Sequence, residues 1–313
     1  MMEHKDSLSD GSILQGMILK GVGGNYQVLR DDGSEITAKP RGILRKEKMT
    51  PYPGDIVDLS STDDKIIQYS IDHIHERKSF LIRPTIANLD LMIITSSACS
   101  PEPDCFLLDK MIILCKKAGI MPVLCITKAD LDPKAADGIY RQYRHTEIPV
   151  FITGDTVEYQ SSLEGMIKLI KGKMVSFAGQ SGVGKSTLLN RILEQECMDT
   201  GEVSEKIGKG KHTTRHSQIF ANKTGFLADT PGFYSLELEE LEVTGEDVLA
   251  GYPEIAASEG KCRFVGCRHI GEMGCAVDED TIDPGRLTRY RQFRKQMDLI
   301  QPYEMKKNRN GAK

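Results

Sequence analysis

One uninterrupted octapeptide constrains this chain more than anything else in it: Gly179-Gln180-Ser181-Gly182-Val183-Gly184-Lys185-Ser186. It fits G-x-x-x-x-G-K-[ST] at every position, with an apolar run (174–178) before it and a helical pattern (185–193) after it. Glycines let successive backbone N–H groups curl around an anion at the positive end of a helix dipole. Lys185 is then placed to bridge the β- and γ-phosphates of a nucleotide and Ser186 to ligate Mg²⁺, and the phosphate-binding set runs on to Thr187. The alternative is a plain Gly-rich turn before a helix, which the strand–loop–helix context disfavours.

Around this segment the sequence falls into three parts. Residues 1–12 read as a disordered lead-in. Over 16–74, short apolar alternations are punctuated by turn signals at Val22-Gly23-Gly24-Asn25, Asp31-Asp32-Gly33 and Pro51-Tyr52-Pro53-Gly54-Asp55. That pattern predicts a small β-barrel; an OB-like barrel suits the length, and pattern alone leaves a small β-sandwich or an SH3-like barrel open. From 89 the rhythm changes. Strands are predicted at 89–95, 121–126, 151–153, 174–178 and 226–228. Helices are predicted at 104–117 (Asp104 as N-cap, Gly119 as stop), 163–170 and 185–193. Alternating strands and helices imply a mostly parallel sheet covered on both faces. The last stretch, about 240–313, reads as helical apart from a Cys/His cluster. The domain division expected is 1–76, 77–238 and 239–313.

Composition adds exclusions. With 41 Lys+Arg against 45 Asp+Glu the net charge is −4, so a basic surface has to be local. No apolar run approaches the roughly 18 residues of a membrane span, and the first ten residues have no apolar signal core. A cytoplasmic location, no membrane association and reduced cysteines are therefore expected.

Two further motifs complete a nucleotide site. Asp229-Thr230-Pro231-Gly232 follows the 226–228 strand, where an acid holds Mg²⁺ and the Gly232 amide senses the γ-phosphate. Thr127-Lys128-Ala129-Asp130 follows the 121–126 strand and resembles the N/T-K-x-D guanine motif. The Asp130 carboxylate can accept from both N1–H and the 2-amino group of guanine, a donor pair adenine lacks. Thr127 stands where Asn is commoner, which weakens the support an Asn side chain gives but leaves Asp130 as the reader. Between the phosphate loop and Asp229 lies 208–216, a polar Gly-rich segment suited to a mobile switch, in which Thr214 closes on Mg²⁺ and the γ-phosphate. The bland alternatives are a disordered loop, a Pro-Gly turn and a charged turn after a strand.

Cys262-x4-Cys267-x-His269-x5-Cys275 supplies three thiolates and one imidazole within 14 residues, the number structural zinc favours. A cluster of buried free cysteines is the alternative. With all four positions filled by protein, the metal's role would be structural. The other cysteines (99, 105, 115, 125 and 197) read as core residues. Residues 286–313 carry nine Lys/Arg and two Asp/Glu, and the run from Arg286 to Lys295 mixes them with Tyr290 and Phe293. On a helix such a run could contact phosphates and stack on exposed bases, or simply be a solvated basic face.

The order of the motifs is the second constraint. The base motif precedes the phosphate loop, the switch and Asp229-Thr230-Pro231-Gly232, which reverses the usual GTPase order. A domain with nearby termini tolerates such a permutation. With Arg77, Arg83-Pro84, Asn88-Leu89-Asp90, Leu108-Asp109-Lys110, TKAD, GQSGVGKST, GKHTTRH, DTPGF and the Cys/His cluster, the chain resembles the circularly permuted, ribosome-dependent GTPase family called RsgA or YjeQ, over nearly its whole length.

The resemblance implies an N-terminal OB fold, a permuted GTPase domain and a C-terminal zinc domain. It implies GTP hydrolysis stimulated by the 30S subunit, a role in late 30S maturation, and 16S rRNA as partner; a monomer is expected. Phe233 follows DTPG where Ras-like enzymes carry a water-orienting Gln, and an apolar side chain cannot orient water. The resemblance points instead to His212, which with Thr214 makes the catalytic pair expected; a solvated loop histidine is the alternative. The segment Phe151-Ile152-Thr153-Gly154 stands where the family carries a Ser-Ala-type base-supporting loop. Two competing classes are a nucleotide-switched RNA-binding module with little turnover and a P-loop ATPase or kinase. No second substrate pocket is legible, which disfavours a kinase.

Overall fold

Gly23 and Gly24 both take positive φ, 60° and 79°. That is the backbone a two-residue hairpin turn requires, and it joins β1 (Leu14–Val22) to β2 (Asn25–Arg30) with Val22 opposite Asn25. β3 (Glu35–Pro40), the short α1 (Gly42–Lys46), β4 (Ile56–Ser61) and β5 (Tyr69–Ile74) complete the unit. Its strands close into a barrel in the order β1-β2-β3-β5-β4, with β3 parallel to β5 and the other pairs antiparallel. Ile18, Val28, Ala38, Leu44, Val57, Leu59 and Ile71 fill it. Closure removes the free edges, and the OB-like alternative is the one realised. The structure is a computed structural model and describes residues 14–64, 67–82, 85–200, 218–221, 225–229, 238, 242–278 and 280–299.

A hairpin of β6 (Phe80–Ile82) and β7 (Thr85–Ala87) follows the barrel. Asn88 spans the junction, its amide donating to the Gly54 carbonyl at 2.8 Å and its side-chain oxygen accepting from the Lys78 N–H at 2.9 Å. Gly54 allows the approach: a Cβ there would lie 2.0 Å from the Ala87 oxygen.

The central layer is a six-stranded sheet. In chain order it contributes β8 (Leu91–Ser97), α2 (Cys105–Lys117), β9 (Met121–Thr127), α3 (Pro133–Tyr143), β10 (Val150–Ile152), α4 (Gln160–Ile170), β11 (Lys173–Ala178), α5 (Lys185–Thr200), β12 (Gln218–Ala221) and β13 (Gly225–Asp229). The spatial order is β10-β9-β8-β11-β13-β12, parallel except for β12. Side chains alternate between faces. Met92, Ile94, Leu124 and Ile126 pack towards α2 and α3. Leu91, Ile93, Val123 and Val175 pack against α4 and α5. β8 is buried along its whole length, as a central parallel strand must be. Asp104 caps α2 by accepting from the Leu107 N–H, and Gly119 (φ 73°) follows its end, as the sequence predicts.

The crossovers place α2 and α3 on one face and α4 and α5 on the other. The direction of winding changes between β8 and β11, so the carboxyl ends of these strands open a crevice where ligands of such sheets bind. Beyond the sheet lie α6 (Gly245–Ala250), α7 (Pro253–Ala256) and α8 (Pro284–Leu299), with a turn-rich segment between α7 and α8.

Candidate functional site

The phosphate loop leaves β11 at that crevice. Gly179, Gly182 and Gly184 have φ of 140°, 79° and 97°, a sequence of conformations only glycine adopts freely. A Cβ on Gly179 would lie 2.2 Å from the Thr95 oxygen of β8. Lys185 Nζ donates to the carbonyls of Gly179 (2.8 Å) and Gln180 (2.5 Å), so the loop curls around its own lysine. Burial lowers the Lys185 pKa from its ordinary value, a cost that an adjacent anion would offset. Ser186 and Thr187 are exposed in the first turn of α5, and Ser181 is exposed at the loop's tip.

Thr127-Lys128-Ala129-Asp130 emerges from β9 beside this loop. The Thr127 hydroxyl lies 2.5 Å from the Val183 carbonyl and 3.2 Å from that of Ser96, so the residue found in place of Asn still ties the base motif to the phosphate loop. Lys128 (φ 56°) reaches back across the loop, with Nζ donating to the carbonyls of Gly182 (2.8 Å) and Ser100. Buried Ala129 donates its N–H to the Thr153 carbonyl at 3.1 Å, which locks the motif to the end of β10. Asp130 then faces 153–155, and its Oδ1 accepts from the Asp155 N–H at 3.1 Å.

One cleft of about 210 Å³ is lined by Thr127, Lys128 and Asp130 from the base motif and by Gly184 and Thr187 from the phosphate segment. Thr153, Gly154, Asp155 and Arg191 line it too. The segment Phe151-Ile152-Thr153-Gly154 thus abuts Asp130. Asp155 and Arg191 join the cleft although no motif contains them. For Arg191 a signal existed: it sits four residues beyond Thr187 on one helix, and i, i+4 positions share a face.

Asp229 ends β13, which pairs with β11 and so brings it to the same sheet edge. Its side chain, Gly232, Phe233 and the whole 208–216 segment with His212 and Thr214 lie outside the described residues. Of the Mg²⁺ candidates Ser186, Thr214 and Asp229, the first is therefore the one whose side chain is described.

The second cluster lies between α7 and α8. Ligand atoms of Cys262, Cys267, His269 and Cys275 all fall within 4.8 Å of one another. His269 Nδ1 stands 3.6, 3.9 and 3.4 Å from the sulfurs of Cys262, Cys267 and Cys275. Zinc bonds of about 2.3 Å to sulfur and 2.0–2.1 Å to nitrogen give S···N edges of roughly 3.5 Å in a regular tetrahedron. The four residues thus fit a tetrahedral metal. The Ala276 N–H donates to Cys262 Sγ at 3.2 Å, and the Glu272 carboxylate accepts from the N–H groups of Arg268 (3.0 Å) and Ile270 (2.8 Å), closing the loop that carries Cys267 and His269. Of the remaining cysteines, Cys115 and Cys125 are core residues, and burial pushes the Cys125 thiol up to about 12. Cys99 and Cys105 are only half-buried, because each sits just outside an element's apolar interior. The Cys197 side chain lies outside the described residues.

One expectation is overturned. Arg286, Tyr290 and Phe293 are completely buried and cannot meet phosphates or stack on bases. Arg286 and Arg289 pair with Asp109 of α2, and Phe293 stacks on Phe106 with centroids 4.1 Å apart. The mixed basic and aromatic run is the packing face of α8. Lys295 remains exposed, and the basic residues of 300–313 lie outside the described residues. Among the described residues no helix is long and apolar enough to cross a membrane.

Comparison with known proteins agrees with this geometry. Residues 74–239 match the family described as RsgA GTPase, and residues 15–66 match the RsgA N-terminal domain. A protein of Ruminiclostridium cellulolyticum named small ribosomal subunit biogenesis GTPase RsgA is 40% identical over 302 residues, 93% of this chain and 96% of the relative. One of the same name from Bacillus subtilis is 39% identical over 285 residues, 88% of this chain and 93% of the relative. Two solved structures share the fold. The crystal structure of YjeQ from Thermotoga maritima has a TM-score of 0.78 at 26% identity, covering 93% of this chain and 100% of that one. YloQ, described as a circularly permuted GTPase, has a TM-score of 0.76 at 32% identity, covering 96% and 99%.

Proposed function

Because the chain belongs to the RsgA GTPase family, we infer that it binds GTP in this cleft and hydrolyses it in the biogenesis of the small ribosomal subunit. The observation that carries the reading is the shared cleft: a base motif and a phosphate loop, in reversed chain order, line it together. Asp130 reads guanine, the amides of Gly179–Thr187 and Lys185 hold the phosphates, and Lys128 supports base and loop. Ser186, Thr214 and Asp229 hold Mg²⁺, which when bound neutralises charge on the phosphate oxygens. Gly232 senses the γ-phosphate.

Phe233 leaves the attacking water without an orienting group in its own motif. Basal turnover is therefore slow, and a partner that brings His212 to bear as the water-positioning group raises it. The partner is the 30S subunit with its 16S rRNA, late in maturation, and hydrolysis times release of the factor. The Cys262–Cys267–His269–Cys275 set holds one structural zinc. The working unit is a cytoplasmic monomer divided at about residues 76 and 238.

The deciding experiment is a GTPase assay titrated with isolated 30S subunits, with ATP as competitor. Saturable stimulation and a strong preference for GTP are expected. Hydrolysis that stays at its basal rate at saturating 30S would instead leave a nucleotide-switched RNA-binding module.

A further inference from the structure

One peptide group at the rim of the cleft is gripped from both sides. The Gly154 carbonyl accepts from Arg191 Nη1 at 2.8 Å, while the Asp155 N–H, on the other edge of the same planar unit, donates to Asp130 Oδ1 at 3.1 Å. A trans peptide holds its C=O and N–H in opposite directions, so fixing one fixes the other. The second arm of the guanidinium, Nη2, pairs with the Asp155 carboxylate. A planar fork sets both contacts at once, which an ammonium group cannot do. The close approach needs Gly154, since a Cβ there would lie 2.6 Å from Asp130 Oδ1. Arg191 stands on α5, the helix that begins at Lys185, so the same residue ties the phosphate end of the cleft to its base end.

We propose that Arg191 is a positioning residue for guanine discrimination, acting through the Gly154–Asp155 peptide on the Asp130 carboxylate. The inference rests on the reading of Asp130 as the base reader. The Asp155 side chain is 75% exposed, so the ion pair contributes little to stability. What it does is orient: the guanidinium draws charge towards the Gly154 oxygen, strengthens the Asp155 N–H as a donor, and holds the carboxylate where it meets N1–H and the 2-amino group of guanine. No position of the phosphate-loop pattern reaches residue 191, so the role is invisible in the motif.

The test compares affinities for GDP and for IDP, which keeps N1–H but lacks the 2-amino group, in the full chain. Loss of a hydrogen bond from a charged group costs on the order of tenfold in affinity. Arg191→Gln is accordingly expected to weaken GDP roughly tenfold and to narrow the GDP-over-IDP preference roughly threefold, with Tm unchanged. Arg191→Lys should fall between. In an Asp130→Ala background Arg191→Gln should have no further effect, the signature of residues acting as one unit. Equal weakening of GDP and IDP, or additive losses in the double variant, would overturn the proposal. If Arg191→Gln folds poorly, Asp155→Asn frees the fork from the loop side and should narrow the ratio in the same direction; an unchanged ratio there counts against the role. If Asp130→Ala itself leaves the preference for GDP over ADP intact, it is the base-site reading that fails.

Discussion

Arg286 Nη1 lies 2.6 Å from Asp109 Oδ1, and neither side chain retains any exposure to water. The two are 177 residues apart, one on α2 under the nucleotide-binding sheet, the other at the start of α8. Asp109 also accepts from Arg289 Nε (2.5 Å) and from the hydroxyls of Tyr143 (2.7 Å) and Tyr252 (2.9 Å). Arg286 in turn donates to Glu254 (2.7 Å) and the Gly251 carbonyl (3.2 Å), and lies over the Tyr252 ring at 4.2 Å. Burial alone would lower the arginine's pKa, but the carboxylates of Asp109 and Glu254 raise it above its ordinary value. A charge so deeply buried persists only with its full set of partners. This network fastens the C-terminal helices to the GTPase sheet.

Removing one member leaves the others uncompensated. Arg286→Met should destabilise the chain by about 3–5 kcal/mol, the usual cost of breaking a buried pair from one side. Urea denaturation followed by circular dichroism checks this. A loss below about 1 kcal/mol would mean that the network is far wetter than its burial implies.

A pH-sensitive clasp sits nearby. Asp247 accepts from Lys117 Nζ at 2.7 Å and from both the N–H (2.7 Å) and the hydroxyl (2.9 Å) of Thr244. Burial raises its pKa, but these hydrogen bonds and the Lys117 charge together bring it below the ordinary carboxylate value. A folded pKa below the unfolded value of about 3.9 gives stability that is fully present above roughly pH 4 and lost as pH falls through the folded pKa. Asp247→Asn should therefore cost about 1 kcal/mol at pH 7, and the gap to the parent should narrow as pH falls below about 4. A gap that is constant with pH would sink the assignment.

Gly154→Ala tests the crowding at Asp130, the residue proposed to read the base. The added methyl would fall 2.6 Å from Asp130 Oδ1 and 2.6 Å from the Tyr159 ring, and the carboxylate, being a side-chain end, yields first. GDP affinity should drop about tenfold by fluorescence titration, while global stability changes by less than about 1 kcal/mol.

What was legible in the sequence is what chemistry or local backbone dictates. Gly179, Gly182 and Gly184 occupy conformations other residues resist, so the phosphate loop could be read outright. Asp104 and Gly119 mark the ends of α2 by local hydrogen bonding alone. The helix α3 falls in a stretch whose apolar pattern predicts no element, although Asp132 caps it and Pro133 opens it, both readable start signals. The roles of Arg286 and Arg289 were not legible: charge pattern cannot say whether a cation meets water or a carboxylate 177 residues away. Asp155 escaped for the same reason, since its importance depends on β10 and α5 meeting across the cleft, and the helical spacing of Arg191 from Thr187 gives its face but not its partner.

Among its described residues the segment between α7 and α8 contains turns and no extended ladder, so its order has to come from its side chains. Its main ties are the Arg263 N–H to the Gly274 carbonyl (2.9 Å), the Glu272 carboxylate and the four converging metal-ligand atoms. With a metal absent, three thiols and an imidazole would crowd together for little gain, whereas a bound metal converts that convergence into folding free energy. Elemental analysis should find one zinc per chain, and Cys267→Ser should lose it. Chelation should lower Tm by several degrees and loosen α8, because the Tyr290 hydroxyl is anchored to the Arg268 carbonyl at 2.7 Å within that segment. GDP affinity should hardly move, since Asp109 keeps the other side of α8 fastened to the sheet. A metal-stripped chain with an unchanged Tm would show that Cys262, Cys267, His269 and Cys275 converge for some reason other than zinc.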